Sequence, residues 1–509
     1  MSSAPVNITI ISGEGPKNYT VSPDESLLSV LRAEGCFVRS DCGGKGFCGK
    51  CKVRVSKNAP VSDLDRRFLK ESQINTGIRL ACALKPYENL VVYAEKEDSL
   101  VSADDYNENI TAGTDEIYLA LDIGTTTVAL KLINPGGENA GTAVFNNPQR
   151  AFGADVVSRI TACTEGKEKE LQKAITEKIS LESNNLLEKY GIKENQIKKC
   201  AIACNTTMGH ILMNYDCSGL GVYPFKTENI DTVKFPFNEI FAGSKITAET
   251  ALFPGISAYV GGDIVSGIYN TEIYKSDELC LLIDLGTNGE MALGNKNKIL
   301  TASAAAGPAF EGGNISCGTG SVPGAINSVV IAGGRAQCST VGGCPVTGIC
   351  GTGVIDITAA LIQNGIVDKS GFLDEDYSEY GYPLTRDGKY RFIQDDIRQV
   401  QLAKSAVRAG IETLMERYSC KADDISKIYI SGGFSRAVNI KNAVIIGLIP
   451  KEFKDKTRCI GNSSLEGAVK YLTSAKGDEE LKKIKNISSE NVLSTDDIFN
   501  EKFMDYITF

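Results

Sequence analysis

Short apolar runs separated by polar turns organise the N-terminal part of the chain. NITIIS (7–12) alternates apolar and polar positions and predicts a strand, while SLLSVLRAEG after Asp24 predicts a short amphipathic helix. KVRV (52–55) and NLVVYA (89–94) predict two later strands. These elements predict a small α/β domain over residues 1–98.

From Glu116 onward, strands alternate with helices in two similar halves. IYLALDIGTTTVALKLI (117–133) and LCLLIDLGTNGEMALG (279–294) share an apolar strand, an Asp, a Gly-Thr turn and a second strand. This duplication predicts two similar lobes with a cleft between them. The predicted boundaries are a polar linker at 99–115, lobes at 116–275 and 276–475, and a charged, peripheral tail at 476–509.

The overall composition is that of a globular protein with an acidic surface. Hydrophobic residues make up 42 % of the 509 positions, charged residues make up 23 %, and the net charge is −9. An acidic chain without a basic run argues against a nucleic-acid partner. Because no signal-like leader and no bilayer-length apolar run is present, we expect a cytoplasmic protein without a membrane partner.

The chain has 16 cysteines but a single histidine, His210. Thiols stay reduced in the cytoplasm, so we expect metal ligands and core residues rather than disulfides. One imidazole excludes sites that need several, and we interpret His210 as a hydrogen-bonded structural residue. Cys317, Cys338, Cys344 and Cys350 lack a C-x2-C pair, which favours partly buried thiols over a second cluster.

A cysteine-rich loop, DCGGKGFCGKCKV, carries the first clear chemistry. Cys42, Cys48 and Cys51 are spaced C-x5-C-x2-C, and Cys82 follows in RLACAL. Three thiolates on one loop and a distant fourth are typical of ferredoxin [2Fe–2S] clusters, and the longer first spacing resembles the adrenodoxin-like variant. Zinc is the alternative metal, although zinc usually takes paired C-x2-C knuckles. Cys36 is the rival ligand.

The two Gly-Thr turns predict a phosphate site between the lobes. Backbone N–H groups and hydroxyls from both turns would face the β- and γ-phosphates of ATP. The residues predicted to form the two loops are Gly124, Thr125, Thr126, Thr127, Gly286, Thr287, Asn288 and Gly289.

Four carboxylates are candidates for the catalytic chemistry of this site. Asp122 and Asp284 end the duplicated strands and are predicted to hold Mg²⁺ through its waters. Asp263 in VGGDIVSG and Glu290 in GTNGE are alternatives for the group that activates water. Each of these two is also explained as a helix cap or a turn former.

A third nucleotide element lies in KIYISGGFSRAVNIKNAV (427–444). Ser431, Gly432 and Gly433 end an apolar strand before a helix, and the two glycines would let a purine and ribose lie against the backbone. The three elements in this order resemble the superfamily of acetate and sugar kinases, actin and heat-shock ATPases.

This resemblance implies an α/β, multi-domain fold. A β-grasp ferredoxin-like domain would precede a two-lobed, actin-like ATPase domain (116–475) with duplicated ribonuclease-H-like cores. With the added motifs ACNTTMGH (203–210) and GICGTGVIDITAALIQNGI (348–366), the chain resembles the reductive activators of corrinoid-dependent methyltransferases and corrinoid iron–sulfur proteins.

The resemblance implies an ATP-hydrolysing iron–sulfur reductase. One electron would pass from the [2Fe–2S] cluster to an inactive cobalt(II) corrinoid and give cobalt(I). The implied partners are a corrinoid protein and an upstream low-potential electron donor, and a homodimer is compatible with this function. The implied cofactors are the cluster, ATP and Mg²⁺.

The glycine-rich segment 303–324 is predicted to dock the corrinoid protein. Ser303, Ser316 and Thr319 are the side chains that would approach the corrin ring. The alternative is that this segment completes the ATP pocket, with Gly307 against the nucleotide.

Three other functions stay open at this point. A small-molecule kinase with a redox-sensing ferredoxin domain would convert ATP into a phosphorylated product. An ATP-dependent sensor would use the nucleotide only as a clamp. An activator of a radical dehydratase would need no separate ferredoxin domain.

Overall fold

The computed structural model describes residues 4–12, 15–34, 36, 38, 40, 42–56, 58–93, 116–433 and 435–509. The linker predicted at 99–115 lies outside these residues. Within them, no helix combines the length and the apolar character needed to cross a bilayer.

The N-terminal domain is a mixed sheet covered by short helices. Its elements are β1 (Val6–Ser12), β2 (Gly15–Val21), α1 (Leu27–Ala33), β3 (Lys52–Val55), α2 (Asp63–Phe68), α3 (Glu71–Asn75), β4 (Ile78–Leu80) and β5 (Leu90–Tyr93). The strand order is β2-β1-β5-β3-β4, with β1 parallel to β5 and antiparallel to β2. Helix α1 begins after Ser26, whose hydroxyl accepts from the Ser29 N–H, and buries an apolar face that includes Leu28 and Leu31.

The first lobe is built on a six-stranded sheet. Its strands are β6 (Ile117–Ile123), β7 (Thr127–Ile133), β8 (Asn139–Asn146), β9 (Ile197–Cys204), β10 (Val233–Pro236) and β11 (Glu249–Leu252). Its helices are α4 (Val156–Ala162), α5 (Glu168–Tyr190), α6 (Thr206–Met213), α7 (Phe237–Ile240) and α8 (Gly262–Thr271).

The second lobe contains a further six-stranded sheet and two smaller ones. Its strands are β12 (Leu279–Leu285), β13 (Gly289–Gly294), β14 (Ile299–Ala304), β15 (Ala325–Ala332), β16 (Arg335–Thr340), β17 (Gly348–Ile349), β18 (Tyr382–Pro383), β19 (Arg391–Phe392), β20 (Ile425–Ser431), β21 (Thr457–Gly461) and β22 (Ser488–Glu490). Its helices are α9 (Gly351–Gln363), α10 (Gln394–Tyr418), α11 (Ile440–Ile445), α12 (Ser463–Thr473), α13 (Gly477–Ile487) and α14 (Asp497–Asp505).

The two large sheets repeat one topology. The first has the order β10-β11-β9-β6-β7-β8 and the second β21-β20-β12-β13-β14-β22. In each, three antiparallel strands (β6–β8 or β12–β14) lie beside parallel neighbours, β9 and β11 or β20 and β21. The predicted α/β, multi-domain fold with duplicated cores is therefore confirmed. The predicted junction at 275/276 falls between α8 and β12.

The lobes share apolar contacts beneath the cleft. Helix α12 packs against α8 and against β6 and β9 of the first lobe. One buried cluster accordingly combines Ala120 and Ala201 of the first lobe with Leu282 and Leu465 of the second.

The peripheral tail predicted at 476–509 is wrong. Leu481 and Ile484 on α13 are fully buried in the core that joins the lobes, and β22 extends the second sheet by pairing parallel to β14. Beyond it, Arg417 on α10 donates two hydrogen bonds of 2.9 Å to Asp496 at the start of α14. The segment is charged on average, but the apolar side chains of α13 face the core that joins the lobes and those of α14 face the second lobe.

Candidate functional site

The cysteine loop and the turn after β4 bring four thiols together as two pairs. Cys42 and Cys48 form one hydrogen-bonded pair, and Cys51 and Cys82 form the other. Among the described residues, no group of three or more His, Cys, Asp or Glu side chains is arranged around a single metal position. A two-plus-two arrangement suits a binuclear cluster, in which each iron takes two thiolates, better than one zinc ion.

Backbone amides and a buried cation favour negative charge at this loop. Burial opposes ionisation of Cys42, but N–H groups of Phe47, Cys48 and Gly44, together with the Cys48 thiol, lower its pKa. The Cys82 thiol donates to Cys51 and lowers the Cys51 pKa to about 7. The donor set and its surroundings therefore fit a [2Fe–2S] cluster.

Arg32 supplies the cation. Its Nε and Nη2 atoms are buried and have no hydrogen-bond partner among the described residues. Burial lowers the Arg32 pKa to about 10, while the thiolates of Cys51 and Cys42, the Glu170 carboxylate and the Cys82 thiolate act in the opposite direction. An anionic cluster beside these thiols would add to this counter-charge.

The cluster loop packs directly on the first lobe. A Cβ atom on Gly43 would lie 2.4 Å from the carbonyl oxygen of Phe152, so only glycine fits here, and its φ of +63° also favours glycine. The Arg32 guanidinium lies 5.3 Å from the centroid of the Phe152 ring, and Lys45 forms a 2.9 Å ion pair with Glu165. The two chemical sites therefore belong to adjoining surfaces.

The first predicted phosphate loop is a tight hairpin between β6 and β7. The Gly124 N–H donates to the Thr127 carbonyl at 3.0 Å, and Asn205 Nδ2 donates to Thr125 Oγ1 at 2.9 Å. The buried Arg159 donates to the Thr125 carbonyl and, at 3.0 Å, to the Gly153 carbonyl beside Phe152. Arg159 thus ties this hairpin to the segment that contacts the cluster loop.

The second predicted loop is the matching turn between β12 and β13. The Gly286 N–H donates to the Asn288 carbonyl at 2.9 Å. Gly289 already lies in β13, where a Cβ atom would be 2.8 Å from the Val407 side chain, so packing rather than phosphate contact explains this glycine.

Hydroxyls from the two hairpins meet across the cleft. Thr126 Oγ1 and Thr287 Oγ1 are 3.1 Å apart, and both donate to Glu311 Oε2, at 3.1 Å and 2.8 Å. The structure therefore brings together Thr126 and Thr287 as predicted, and adds Glu311. Sequence reasoning missed Glu311, whose one signal is that it is acidic within a segment otherwise almost free of bulky or charged side chains.

The two aspartates predicted to organise Mg²⁺ are partly buried and differently held. Asp122 accepts from Asn462 Nδ2 at 2.7 Å and from Ser464 Oγ at 2.8 Å, both at the N-terminus of α12. Asp284 accepts from Ser431 Oγ at 2.9 Å. Burial raises the pKa of Asp122 despite its hydrogen bonds, and raises the pKa of Asp284 to about 6.

Asp263 and Glu290 lie in the same group of carboxylates. Asp263 accepts from the Ile264 N–H at 2.8 Å, and burial raises its pKa to about 7, with further contributions from Asp284 and Asp122. Glu290 is the cross-strand neighbour of Asp284, and burial raises its pKa well above the usual range. Four partly buried carboxylates with raised pKa values lie in one group, and a divalent cation would compensate their negative charge.

The third predicted element has a different local role from the one expected. Ser431 is fully buried and its hydroxyl is directed at Asp284, so it positions a carboxylate. A Cβ atom on Gly432 would lie 2.3 Å from the Leu285 carbonyl oxygen, so strand contact explains this glycine. Gly433 and Gly307 have open space where a Cβ would be, which leaves room for a nucleotide beside them.

The four remaining candidate cysteines and His210 do not form a common site. Cys317, Cys338, Cys344 and Cys350 each donate to a different backbone carbonyl: Arg391, Leu384, Gly342 and Ile326 respectively. Buried His210 donates from Nδ1 to the Thr206 carbonyl at 2.9 Å and accepts from the Glu228 N–H at Nε2, in keeping with a structural role.

The proposed docking segment is anchored in the second lobe. Ser316 donates to Asp396 from both its N–H, at 2.6 Å, and its Oγ, at 2.7 Å. The Thr319 N–H donates to the Ile349 carbonyl, and Ser303 faces Glu290 at 3.4 Å. Ser303 therefore borders the carboxylate group, whereas Ser316 and Thr319 hold the segment in place.

Sequence profiles of known families match nearly the whole described chain. The C-terminal domain of RACo, the ASKHA domain, matches residues 278–509, and the RACo middle region matches residues 117–276. A 2Fe-2S iron-sulfur cluster binding domain matches residues 10–87. The prediction of [2Fe–2S] and ATP as cofactors is thereby confirmed, whereas the individual ligands stay predictions.

Similar proteins share this domain content. The chain is 32 % identical over 411 residues to the corrinoid activation enzyme RamQ of Eubacterium limosum, covering 76 % of this chain and 69 % of that one. It is 26 % identical over 425 residues to the Co(II) methylated amine-specific corrinoid protein reductase of Methanosarcina barkeri, covering 76 % of each. A solved structure of a reductive activator for corrinoid, iron-sulfur protein superposes with a TM-score of 0.72 at 29 % identity, covering 99 % of this chain and 98 % of that one.

Proposed function

Because this chain belongs to the family of reductive activators of corrinoid proteins, we propose that it reduces a protein-bound cobalt(II) corrinoid to cobalt(I) at the expense of ATP. One observation carries the proposal. A site of two thiol pairs and a phosphate cleft between two lobes lie on adjoining surfaces of the same chain. The finer assignments, namely the ligands, the electron donor and the corrinoid partner, belong to the same proposal.

The N-terminal domain is the electron-carrying part. Cys42 with Cys48 and Cys51 with Cys82 would hold the two irons, and the Arg32 guanidinium would stabilise the negative charge. The cluster supplies single electrons that it receives from a low-potential donor. The same loop is glycine-rich, so its amides reach the sulfur atoms closely.

The two lobes bind and hydrolyse Mg-ATP. Thr126 and Thr287 donate hydroxyl hydrogen bonds to the phosphates from opposite sides, and Asp122 and Asp284 orient the waters of Mg²⁺. Gly433 and Gly307 border the space for the nucleoside. Hydrolysis releases the lobes from the closed arrangement.

ATP is needed because reduction of cobalt(II) is uphill for such a cluster. Each 100 mV of deficit for one electron corresponds to roughly 2.3 kcal/mol. Lobe closure driven by the nucleotide covers this deficit if the closed form binds the corrinoid protein in a more easily reduced state. The nucleotide then acts on the partner's geometry and takes no part in the electron path.

The test mixes the reduced protein with a cobalt(II) corrinoid protein and Mg-ATP under anaerobic conditions. We expect the visible spectrum of cobalt(I) to develop over many turnovers with ATP but to stop at about one per activator with a non-hydrolysable analogue, because the analogue closes the lobes and cannot release them. Corrinoid proteins of methyltransferase systems and corrinoid iron–sulfur proteins are the two substrates to compare. A phosphorylated small molecule formed without cobalt reduction would instead identify a kinase.

A further inference from the structure

Glu311 occupies a position that no other carboxylate of the cleft shares. It ends the short 3-10 helix Pro308–Glu311, and its Oε2 accepts from Thr126 at 3.1 Å and from Thr287 at 2.8 Å. Its Oε1 lies 3.8 Å from the place of a Cβ on Gly286. One side chain therefore contacts the turns of both lobes at once.

The other carboxylates described in the cleft accept hydrogen bonds from different groups. Both oxygens of Asp122 accept from α12, and Asp284 accepts from Ser431. Asp263 accepts from the backbone of its own helix, and Glu290 accepts from Ser303 at 3.4 Å. Among the described residues, these four accept from groups other than the turn threonines, whereas Glu311 accepts from the threonine hydroxyls of both turns.

The backbone that carries Glu311 is firmly placed. Ala309 and Phe310 are buried, and the Gly312 N–H donates to the Ala309 carbonyl at 3.1 Å. Gly312 has a φ of +77°, and a Cβ there would lie 2.3 Å from the Thr319 carbonyl oxygen, so the turn after Glu311 requires glycine. The backbone at Glu311 is therefore fixed before the substrate arrives, and only the side chain has to turn.

Its charge balance suits a group that accepts a proton. Burial raises the pKa of Glu311, while the two threonine hydroxyls and the Arg150 guanidinium act in the opposite direction. A carboxylate in such surroundings is more basic than one in water, which suits a group that accepts a proton.

We propose that Glu311 is the catalytic residue that orients and deprotonates the water attacking the terminal phosphate of ATP. The inference rests on the proposed nucleotide site and assigns a role for which sequence alone offered Asp263 and Glu290. The water oxygen forms a bond to the γ-phosphorus as the bond to the bridging oxygen breaks. The water proton passes to Glu311 Oε2, and the electron pair leaves on ADP.

The threonines then have a double function. Without nucleotide they are held by Glu311, and with nucleotide they donate to the phosphates while Glu311 retains the water between itself and phosphorus. The carboxylate cannot keep both hydroxyls once an anion binds, because two anions compete for the same donors. Nucleotide binding should therefore also move Glu311 away from the threonines.

The experiment compares E311Q and E311D with the parent protein in Mg-ATP hydrolysis and in binding of a non-hydrolysable analogue. For E311Q we expect kcat to fall about 100-fold or more with an unchanged Kd, because the amide keeps the shape but accepts no proton. E311D should retain intermediate activity, since it keeps the charge at a shorter reach. E239Q, at an exposed position of the first lobe, is the matched control.

Two results would overturn the assignment. One is E311Q hydrolysing ATP at the parental rate while D263N or E290Q loses hydrolysis and keeps binding. The other is E311Q losing nucleotide binding together with hydrolysis. If E311Q does not fold, as judged from its circular dichroism and its thermal unfolding, a parental kcat in E311D overturns the assignment in the same way.

Cobalt reduction is measured separately in the same preparations. Normal cobalt(I) formation by an E311Q protein that hydrolyses ATP normally contradicts only the role of Glu311. Hydrolysis that depends on Glu311 without any cobalt(I) formation by the parent protein contradicts only the proposed function.

Discussion

The thiol loop and the phosphate cleft are assembled in opposite ways. All four thiols come from one small domain, and three of them lie on a single loop. In the cleft, Asp122 is held by residues 340 and 342 positions further along the chain, and Thr126 meets Glu311 across 185 positions. One site is specified locally, whereas the other exists only once two lobes have packed together.

This difference predicts how each site responds to amino-acid substitutions. The thiol site takes all four of its ligands from the N-terminal domain, so the loss of one thiol should stay within that domain, whereas the loop glycine Gly43 also packs on Phe152 of the first lobe. The cleft depends on side chains from both lobes, so a change there should alter nucleotide chemistry and leave the cluster unaffected. The predictions below test that independence.

The largest effect is expected at the cluster. Replacement of Cys82 by Ala removes one of four thiolates, so iron binding and the visible spectrum of the cluster should be lost while basal ATP hydrolysis persists. Iron and sulfide analysis of the parent should give equal amounts of both. Cys344→Ala, at an exposed cysteine outside the loop, is the control and should keep the cluster.

A colourless parent protein loaded with zinc would contradict this ligand assignment. So would a normal cluster in Cys82→Ala, in which case Cys36→Ala would identify the replacement ligand.

The second effect is expected at the metal side of the cleft. Asp122→Ala and Asp122→Asn should both abolish Mg-dependent ATP hydrolysis, because each removes the charge that orients the metal-bound waters. The Asn variant keeps the size of the side chain beside Asn462 and Ser464 and so separates charge from packing. Hydrolysis is measured as phosphate release, and the cluster spectrum of both variants should equal that of the parent.

Persistent hydrolysis in both Asp122 variants would mean that the metal is held elsewhere. A changed cluster spectrum would mean that the packing of the cluster loop on the first lobe couples the two sites.

The smallest effect is expected where the two regions meet. Lys45 and Glu165 form an ion pair, but their side chains are 43 % and 45 % exposed. A double-mutant cycle with Lys45→Ala and Glu165→Ala should therefore give a coupling energy of about 0.2–1 kcal/mol that falls as salt is added. Denaturant unfolding followed at the cluster absorbance measures it. A larger, salt-independent coupling would indicate that the domains stabilise each other through this contact.

Sequence alone determined the parts of this protein that depend on neighbouring residues. The spacing of Cys42, Cys48 and Cys51 predicted the cluster loop, because ligands on one loop must follow a fixed interval. The repeated strand and Gly-Thr turn predicted two lobes, because side-chain alternation and turn chemistry are local properties. The match to ferredoxin and ATPase domains bears out both predictions of fold.

Which distant side chains meet depends on how the folded lobes pack together. Nothing near Glu311 in the sequence indicates Thr126 or Thr287, because that contact requires both lobes to be folded and packed. Ser431 was assigned to a nucleotide by its place before two glycines, yet the parallel pairing of β20 with β12 places it opposite Asp284.

The C-terminal segment 476–509 likewise shows that average composition does not predict which side chains are buried. Its high charge suggested a peripheral tail, but Leu481 and Ile484 lie three positions apart and therefore on one face of α13. Whether such a narrow apolar face is exposed or buried depends on the surface offered to it by the lobes. Composition sums over all faces of a helix, and only the folded chain selects the one that packs.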